Sequence, residues 1–429
     1  MHSIEVDFKN NQKIEAEFNG IAFRGFQGIG FGQPAQILTQ LTPPTVGRSI
    51  ANIVRQLFLG GTIAYTSGRG ENVFFLCREY RGRPDHVDTF ERLAKTVVNA
   101  SLFSQQISPC LQIRLMSLVP IWLFQMRNVS LSLRQKLYIT TCLQLAWCGI
   151  RDLKSIADMK TLTVICDFHF ADNVVAQQFN ELGIPTVVMQ HGIYSRTNPA
   201  PFTNGSAEHL LAYGAQTILE ASACGMDASR VVEVGMPQIA TGQIYPASKV
   251  SRAPLNVVGV EMSGYGKEQQ DIELFNLAIS VAADNGLRVA VKFHPGFPPQ
   301  HYDYDFNNGL VLEMVTSEKS AEDFIDEVDI CLCAGSTILV QNLLKMKPTL
   351  LFMKPGDPFF NKYTAWCAVE SEADCNGIIS ALKKNPELIE RQMLDTREFF
   401  TLTNGVRGLY NAFYEKLAEK VAFYNEESI

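Results

Sequence analysis

The sequence predicts two doubly wound α/β domains joined by a linker. Three observations carry this. From about residue 161 onward, short apolar runs alternate with amphipathic stretches, the rhythm of strand–helix–strand units in a parallel sheet. The rhythm breaks at an irregular segment, MPQIATGQIYPASKVSRAP (236–254), and restarts after it. The chain has 429 residues, too many for one ordinary core. The expected boundaries are a first domain over 1–240, a second over 241–400, and a terminal helix over 401–429 returning to the first.

Residues 4–18 alternate apolar and polar around Asn10-Asn11, the pattern of a β-hairpin. Glycines follow at 20, 25, 28, 30 and 32. No G-x-G-x-x-G follows a clear strand, so the segment reads as an irregular crossing rather than a nucleotide loop. ENVFFLCREY (71–80) predicts a strand. Residues 85–155 show heptad-like apolar spacing and predict a helical insert. Strands are then expected at 161–166, 185–189, 209–213 and 230–234, with helices at 172–182 and 217–224. After the linker, strands are expected at 255–260, 287–293, 309–314, 328–333 and 348–352. Helices are expected at 271–284, 321–325, 338–345, 372–383, 388–396 and 408–424.

Hydrophobic residues make up 46% and charged residues 19%, ordinary for a globular protein. The formal net charge of −7 argues against a nucleic-acid partner, which needs a basic face. Ten cysteines lack metal-ligand spacing, and MHSIEVDFKNNQ has no signal-peptide character. Reduced structural thiols and a cytoplasmic location are expected. No run reaches the roughly 18–20 apolar residues of a membrane span. LMSLVPIWLFQM (115–126), flanked by Arg114, Arg127, Arg134 and Lys136, reads as a buried helical pair, with peripheral contact at the inner membrane face as the sharper alternative.

Three predicted strand ends carry chemistry, and an open parallel sheet binds ligands at that edge. Gly335-Ser336-Thr337 is a small-residue turn into a helix, fit either to cap that helix or to hold phosphate. In VKFHPGFPP (291–299), Pro295 bars a helix at His294 and projects the imidazole outward. Lys292, two residues earlier, lies on the same side of the strand. The pair suits phosphate, and a histidine bonded to its own turn is the equal alternative. Gln190-His191-Gly192 repeats the arrangement in the first half, with Asp167 at the preceding strand end, and a histidine near a carboxylate can serve as general base. Asp172 and Asn173 read as helix caps, as does Ser317. Gly264 and Gly266 lie in a loop, EMSGYGK (261–267), where a pyrophosphate can approach backbone. The loop 357–361 (DPFFN) is placed near the cleft on weaker grounds.

These motifs resemble the GT-B transferases of bacterial surface polysaccharides: CDP-glycerol glycerophosphotransferases, CMP-Kdo transferases and the His-Pro sialyl- and polysialyltransferases. The resemblance covers about 161–360. It rests on His191-Gly192, VVEVGMPQ (231–238), Lys292-Phe293-His294-Pro295 and DICLCAGSTILVQNLLKMKPTLLF (329–352). It implies two Rossmann-like domains across a cleft, with the acceptor and base on the first and the nucleotide donor on the second. His294, Lys292, Ser336 and Thr337 would hold donor phosphate, Gln341 would reach ribose or sugar, and His191 or Asp167 would be the base. No metal or cofactor is implied beyond a nucleotide-activated sugar as co-substrate. The chain lacks the paired-acid motif of the sialyltransferases, and Gly335-Ser336 replaces the Ser-Ser of several relatives.

The expected function is transfer of a sugar from a CMP-, CDP- or UDP-linked donor to a capsule, lipopolysaccharide or other cell-surface glycan. A CDP-polyol phosphotransferase and a nucleotide-sugar 2-epimerase are the enzymatic alternatives. A non-catalytic capsule-assembly subunit is the third class.

Overall fold

The computed structural model describes residues 16–18, 21–26, 29, 45–59, 61–68, 70–78, 84–107, 112–156, 158–167, 169–196, 199–250, 254–264, 267–353 and 367–426. Most of the expected hairpin, most of the glycine-rich segment, Gly266 and the loop 357–361 fall outside these residues. Residues 16–18, expected in a strand, are helical.

The first sheet contains β1 (Gly61–Gly68), β2 (Asn72–Leu76), β3 (Ala100–Ile107), β4 (Thr161–Val164), β5 (Thr186–Met189), β6 (His209–Ala212) and β7 (Val231–Glu233). Their order is β1-β3-β2-β4-β5-β6-β7, parallel throughout except for β1 on β3. The second contains β8 (Val257–Glu261), β9 (Arg288–Lys292), β10 (Val311–Val315), β11 (Ile330–Cys333), β12 (Thr349–Phe352) and β13 (Ala368–Val369). Its order is β10-β9-β8-β11-β12-β13, all parallel. Strands such as β4, β5 and β11 are buried at every position, because helices cover both faces of such a sheet.

The helices packed on the first sheet are α1 (Val46–Leu59), α2 (Pro84–Thr96), α3 (Ile113–Gln125), α4 (Leu133–Leu153), α5 (Phe170–Asn180) and α6 (Ala215–Ala223). Those that follow are α7 (Glu268–Asn285), α8 (Ala321–Glu327), α9 (Ile338–Leu344), α10 (Glu372–Lys384), α11 (Pro386–Phe400) and α12 (Val406–Glu426). The helical insert expected over 85–155 is corrected by β3, which lies inside that range and pairs with both β1 and β2. Its sequence, ASLFSQQI, hid it, since polar side chains face inward. Ser101 Oγ donates to the Gly70 carbonyl at 2.7 Å, and Gln105 Nε2 to the Leu145 carbonyl at 2.9 Å. Burial of these groups is tolerated because each is hydrogen-bonded.

Two hydrophobic clusters form, one around each sheet. The chain links them at its C-terminal end. α11 packs on both α9 and α6. Leu402 N then donates to the Tyr213 carbonyl at 3.0 Å, and Met236 N to Thr401 Oγ1 at 3.1 Å. α12 returns to the first cluster, where Tyr414 and Thr163 hydroxyls lie 2.8 Å apart and Tyr410 donates to the Gly235 carbonyl at 3.1 Å. The described cysteines are free thiols.

Candidate functional site

The loop after β5 is held open by one side chain. Gln190 is buried, and its Oε1 accepts from Tyr213 N at 2.7 Å and Thr217 Oγ1 at 3.0 Å. Its Nε2 donates to the Gly192 carbonyl at 2.7 Å. Further along, Arg196 pairs with the fully buried Glu220 at 2.6 Å and donates its own backbone N–H to the same carboxylate at 2.7 Å. Pinned at both ends, the loop presents a half-buried His191. Its Nδ1 lies 3.0 Å from the hydroxyl of Tyr194, whose ring stands edge-on to the imidazole at 5.5 Å. His86 of α2 places a second imidazole 5.1 Å from His191. Burial pushes the Tyr194 phenol well above its ordinary range, with Cys166 and Asp167 adding to the shift.

Asp167 is therefore near Tyr194, and it is buried. Its Oδ2 accepts from Ala207 N at 2.7 Å. A Cβ added at Gly205 would stand 2.8 Å from the same oxygen, so the loop 204–207 closes over the carboxylate. Desolvation raises its pKa to about 6, against the lowering effect of the Ala207 amide and the Arg230 charge. Asn173, read as a cap, donates to the Asp167 and Asn204 carbonyls, and Asp172 accepts from Cys166 N.

On the second sheet, His294 makes the turn that its proline announced. Gly296 N donates to His294 Nδ1 at 3.1 Å, which leaves the ring hydrogen of the neutral form on Nε2. Pro295 is exposed. The same turn carries Phe297 onto Gly264. Gly264 has φ +63°, and a Cβ there would stand 2.6 Å from Phe297 Cβ. Loops after β8 and β9 are thus locked together. The amides of Ser263 and Gly264 donate to Asp271 at 3.0 and 2.7 Å, and Tyr302 donates to it at 2.7 Å. Those amides serve the loop itself, and burial raises the Asp271 pKa.

Lys292 ends β9 at the same sheet edge as His294, but it is turned inward rather than open to a ligand. It is 5% exposed, and its ammonium donates to the Thr316 carbonyl. Desolvation lowers its pKa, opposed by Glu318 and Glu261. Glu261 pairs with it in register across β8 and β9 and is itself buried. Asn342 donates to Glu261 at 2.9 Å, and burial raises that carboxyl to about 8.

The turn after β11 has Gly335 at φ +69°, then Ser336 and Thr337, both half-buried. Neither is a side-chain cap: Thr337 sits in helical conformation ahead of α9 and makes no capping bond. Lys267, exposed on the loop after β8, extends its ammonium to 3.5 Å from the Ala334 carbonyl. Gln341, a turn into α9, has a shielded Oε1 without a donor among the described residues. Across the gap, a Cβ added at Gly192 would stand 3.4 Å from Thr337 Oγ1. The loop bearing His191 and the turn bearing Ser336 and Thr337 therefore lie about one side-chain carbon apart. Among the described residues, no group of three His, Cys, Asp or Glu side chains is placed to hold a metal ion.

The sequence reading missed His86, Lys267 and the role of Tyr194. Tyr194 was legible three residues after His191, and Lys267 closes the glycine loop it had singled out. His86 had no local signal, because only the packing of α2 brings it to His191.

Two sheets of mainly parallel strands, each with candidate residues at its strand ends and with two of those ends close together, define a GT-B-like α/β fold. Solved structures share the fold. MnaA of S. aureus, solved with UDP, aligns with a TM-score of 0.53 at 12% identity, over 81% of this chain and 97% of that one. The UDP-GlcNAc 2-epimerase of Neisseria meningitidis, bound to UDP-GlcNAc, gives 0.51 at 12% identity, over 81% and 99%. The UDP-N-acetylglucosamine 2-epimerase of Rickettsia bellii gives 0.50 at 10% identity, over 83% and 98%. No protein-family model matches the chain, and no curated protein matches it by sequence.

Proposed function

We propose that the protein is an enzyme acting on a nucleotide-activated sugar held between the two sheets, and that it transfers the sugar to a hydroxyl of a glycan or lipid-linked glycan. The observation that supports this reading is the approach of Gly192 to Thr337, which brings the loop bearing His191 near the turn bearing Ser336 and Thr337. With His191 Nδ1–H donated to Tyr194, Nε2 takes the proton of the acceptor hydroxyl. The acceptor oxygen bonds to the anomeric carbon, and the bond from that carbon to the phosphate oxygen breaks. The electron pair leaves with the nucleotide. Lys267, Ser336, Thr337 and the Nε2–H of His294 are the donors for that developing charge. The Gln341 acceptor matches a sugar or ribose hydroxyl. Lys292 and Asp167 act behind the site, on the loops that frame it.

A nucleotide-sugar 2-epimerase is the second reading, favoured by the names of the solved structures that share this fold. One experiment separates the two. Thermal melting with UDP, CDP, CMP and GDP identifies the nucleotide, since a ligand bound only to the folded chain raises its stability by RT ln(1 + [L]/Kd). The matching sugar nucleotide is then incubated alone and followed by NMR. A transferase releases free sugar slowly and leaves C2 unchanged; appearance of the C2 epimer establishes the second reading. If none of the four nucleotides shifts the melting curve, both readings are wrong.

A further inference from the structure

We propose that the face built by α1 and α3 docks on an anionic membrane surface. α1 is amphipathic, yet its outer side mixes arginines with an apolar stripe: Ile50, Val54 and Phe58 are 47, 44 and 55% exposed at successive i, i+4 positions. α3 continues the surface with Ile113, 71% exposed, and Met116, 48% exposed. The two helices are joined where these residues meet, because Gln112 N donates to the Leu57 carbonyl at 2.8 Å. Apolar side chains of this size gathered on one face mark a contact surface.

Charge names the partner. The chain as a whole is formally −7, but residues 18–70 and 92–151 contain no aspartate or glutamate. Arg48 and Arg55 on α1 and Arg114 on α3 have no carboxylate partner among the described residues, and neither does Arg24. Arg24 and Arg114 line one side of a depression of about 420 Å³ beside α3, with Ser117 and Trp147 on its wall. Two arginines beside an open hollow fit a lipid phosphate, while Phe58 and Ile113 enter the acyl boundary. Trp122, in the stretch expected to form a buried helical pair with membrane contact as the alternative, is not part of this face: it is fully buried and donates to the Arg24 carbonyl at 2.8 Å. Among the described residues no helix is long and apolar enough to cross a bilayer, so the contact is one of lying on the surface.

The full chain is co-sedimented with vesicles of phosphatidylcholine alone and of phosphatidylcholine with phosphatidylglycerol. Binding is expected only to the second, and it weakens as salt is raised. Arg55→Gln and Arg114→Gln each reduce it about fivefold, the effect of one basic side chain near an anionic surface. Phe58→Ser with Ile113→Ser removes it, while Lys383→Gln, on the exposed end of α10, leaves it unchanged. Melting curves check that each variant is folded, and the arginine variants alone decide if the double serine variant is not. Three results overturn the proposal: no sedimentation with anionic vesicles, equal sedimentation with both kinds, or arginine variants that bind like the parent. A concentration-dependent dimer that Ile113→Ser dissolves, without vesicle binding, also overturns it in favour of a second copy on this face. The readout is lipid binding, so it stands or falls apart from the nucleotide reading.

Discussion

A phenol buried as Tyr194 is keeps its proton at any working pH, so its hydrogen bond to His191 orients the imidazole without charging it. Removing the base and removing its orienting group should therefore differ in size. His191→Ala is expected to lower kcat about 10²–10⁴-fold, the range of general base catalysis. Tyr194→Phe is expected to lower it only about 10-fold, the cost of one hydrogen bond. Nucleotide affinity should hold in both, because neither residue faces the donor phosphate; wild-type kcat in His191→Ala would remove the histidine from the mechanism. Asp167 makes a pH prediction. Its folded pKa of about 6 lies above the ordinary 3.8, so the folded state holds the proton more tightly than the unfolded chain. Its contribution is fully present below about pH 3.8 and is lost as pH rises through 6, by roughly 2–3 kcal/mol. Asp167→Asn keeps an acceptor for Ala207 N but cannot ionise. Urea unfolding at pH 4 and pH 7.5 should show the variant losing less stability between the two than the parent does. Parallel losses would mean that the carboxylate is not desolvated.

At the scale of elements, the framing of the site depends on residues that no ligand needs to touch. Gly264 adopts φ +63° and lies under Phe297, whose ring stands 5.0 Å from that of Tyr302 and so leads back to Asp271. Gly264→Ala meets both a left-handed backbone, about 1–2 kcal/mol for a side chain, and the Phe297 Cβ. A loss of about 2–4 kcal/mol in urea unfolding is expected, with a higher KM for the donor as the His294 turn shifts. A change below 1 kcal/mol would show that Phe297 yields freely. Most elements were legible in the sequence. No segment was expected at β13, α1 or β1, while β8 to β12 and the helices α7 to α12 were legible to within a few residues, because buried parallel strands run apolar and the helices repeat about every 3.6 residues. β3 was not, because its inward polar residues are satisfied by Gly70 and Leu145, partners that only the fold supplies. The site was half legible. Strand-end placement of His191, His294 and Ser336 follows from local sequence. The engagement of Lys292 by the Thr316 carbonyl does not, since its partner lies on a neighbouring strand's loop. His86 was invisible for the same reason, reaching His191 only through the packing of α2.

The whole molecule is organised so that the last helix completes the first sheet. α12 is separated from β4 by more than two hundred residues of sequence, yet Tyr414 is buried against Phe74 and hydrogen-bonded to Thr163, and Tyr410 closes on the Gly235 carbonyl. Gly235 sits at φ +88° with no room for a Cβ, which would meet Val406 at 2.7 Å. The end of β7 and the start of α12 are thus built against each other, and the crossing between them, Thr401–Leu402, is bonded to Met236 and Tyr213. The strands that carry Asp167 and His191 therefore owe part of their core to residues of α12. Tyr414→Ala empties an aromatic volume from this core and should cost about 3–5 kcal/mol, whereas Tyr414→Phe loses only its hydrogen bond, about 1 kcal/mol. The effect should be unequal across the molecule. In hydrogen exchange, amides of β4, β5 and β6 are expected to lose protection in Tyr414→Ala, while those of β8, β9 and β11, whose core is the second cluster, keep theirs. Equal loss in both sheets would show that the two cores unfold as one unit, and no loss in either would show that α12 is an appendage rather than a wall of the first.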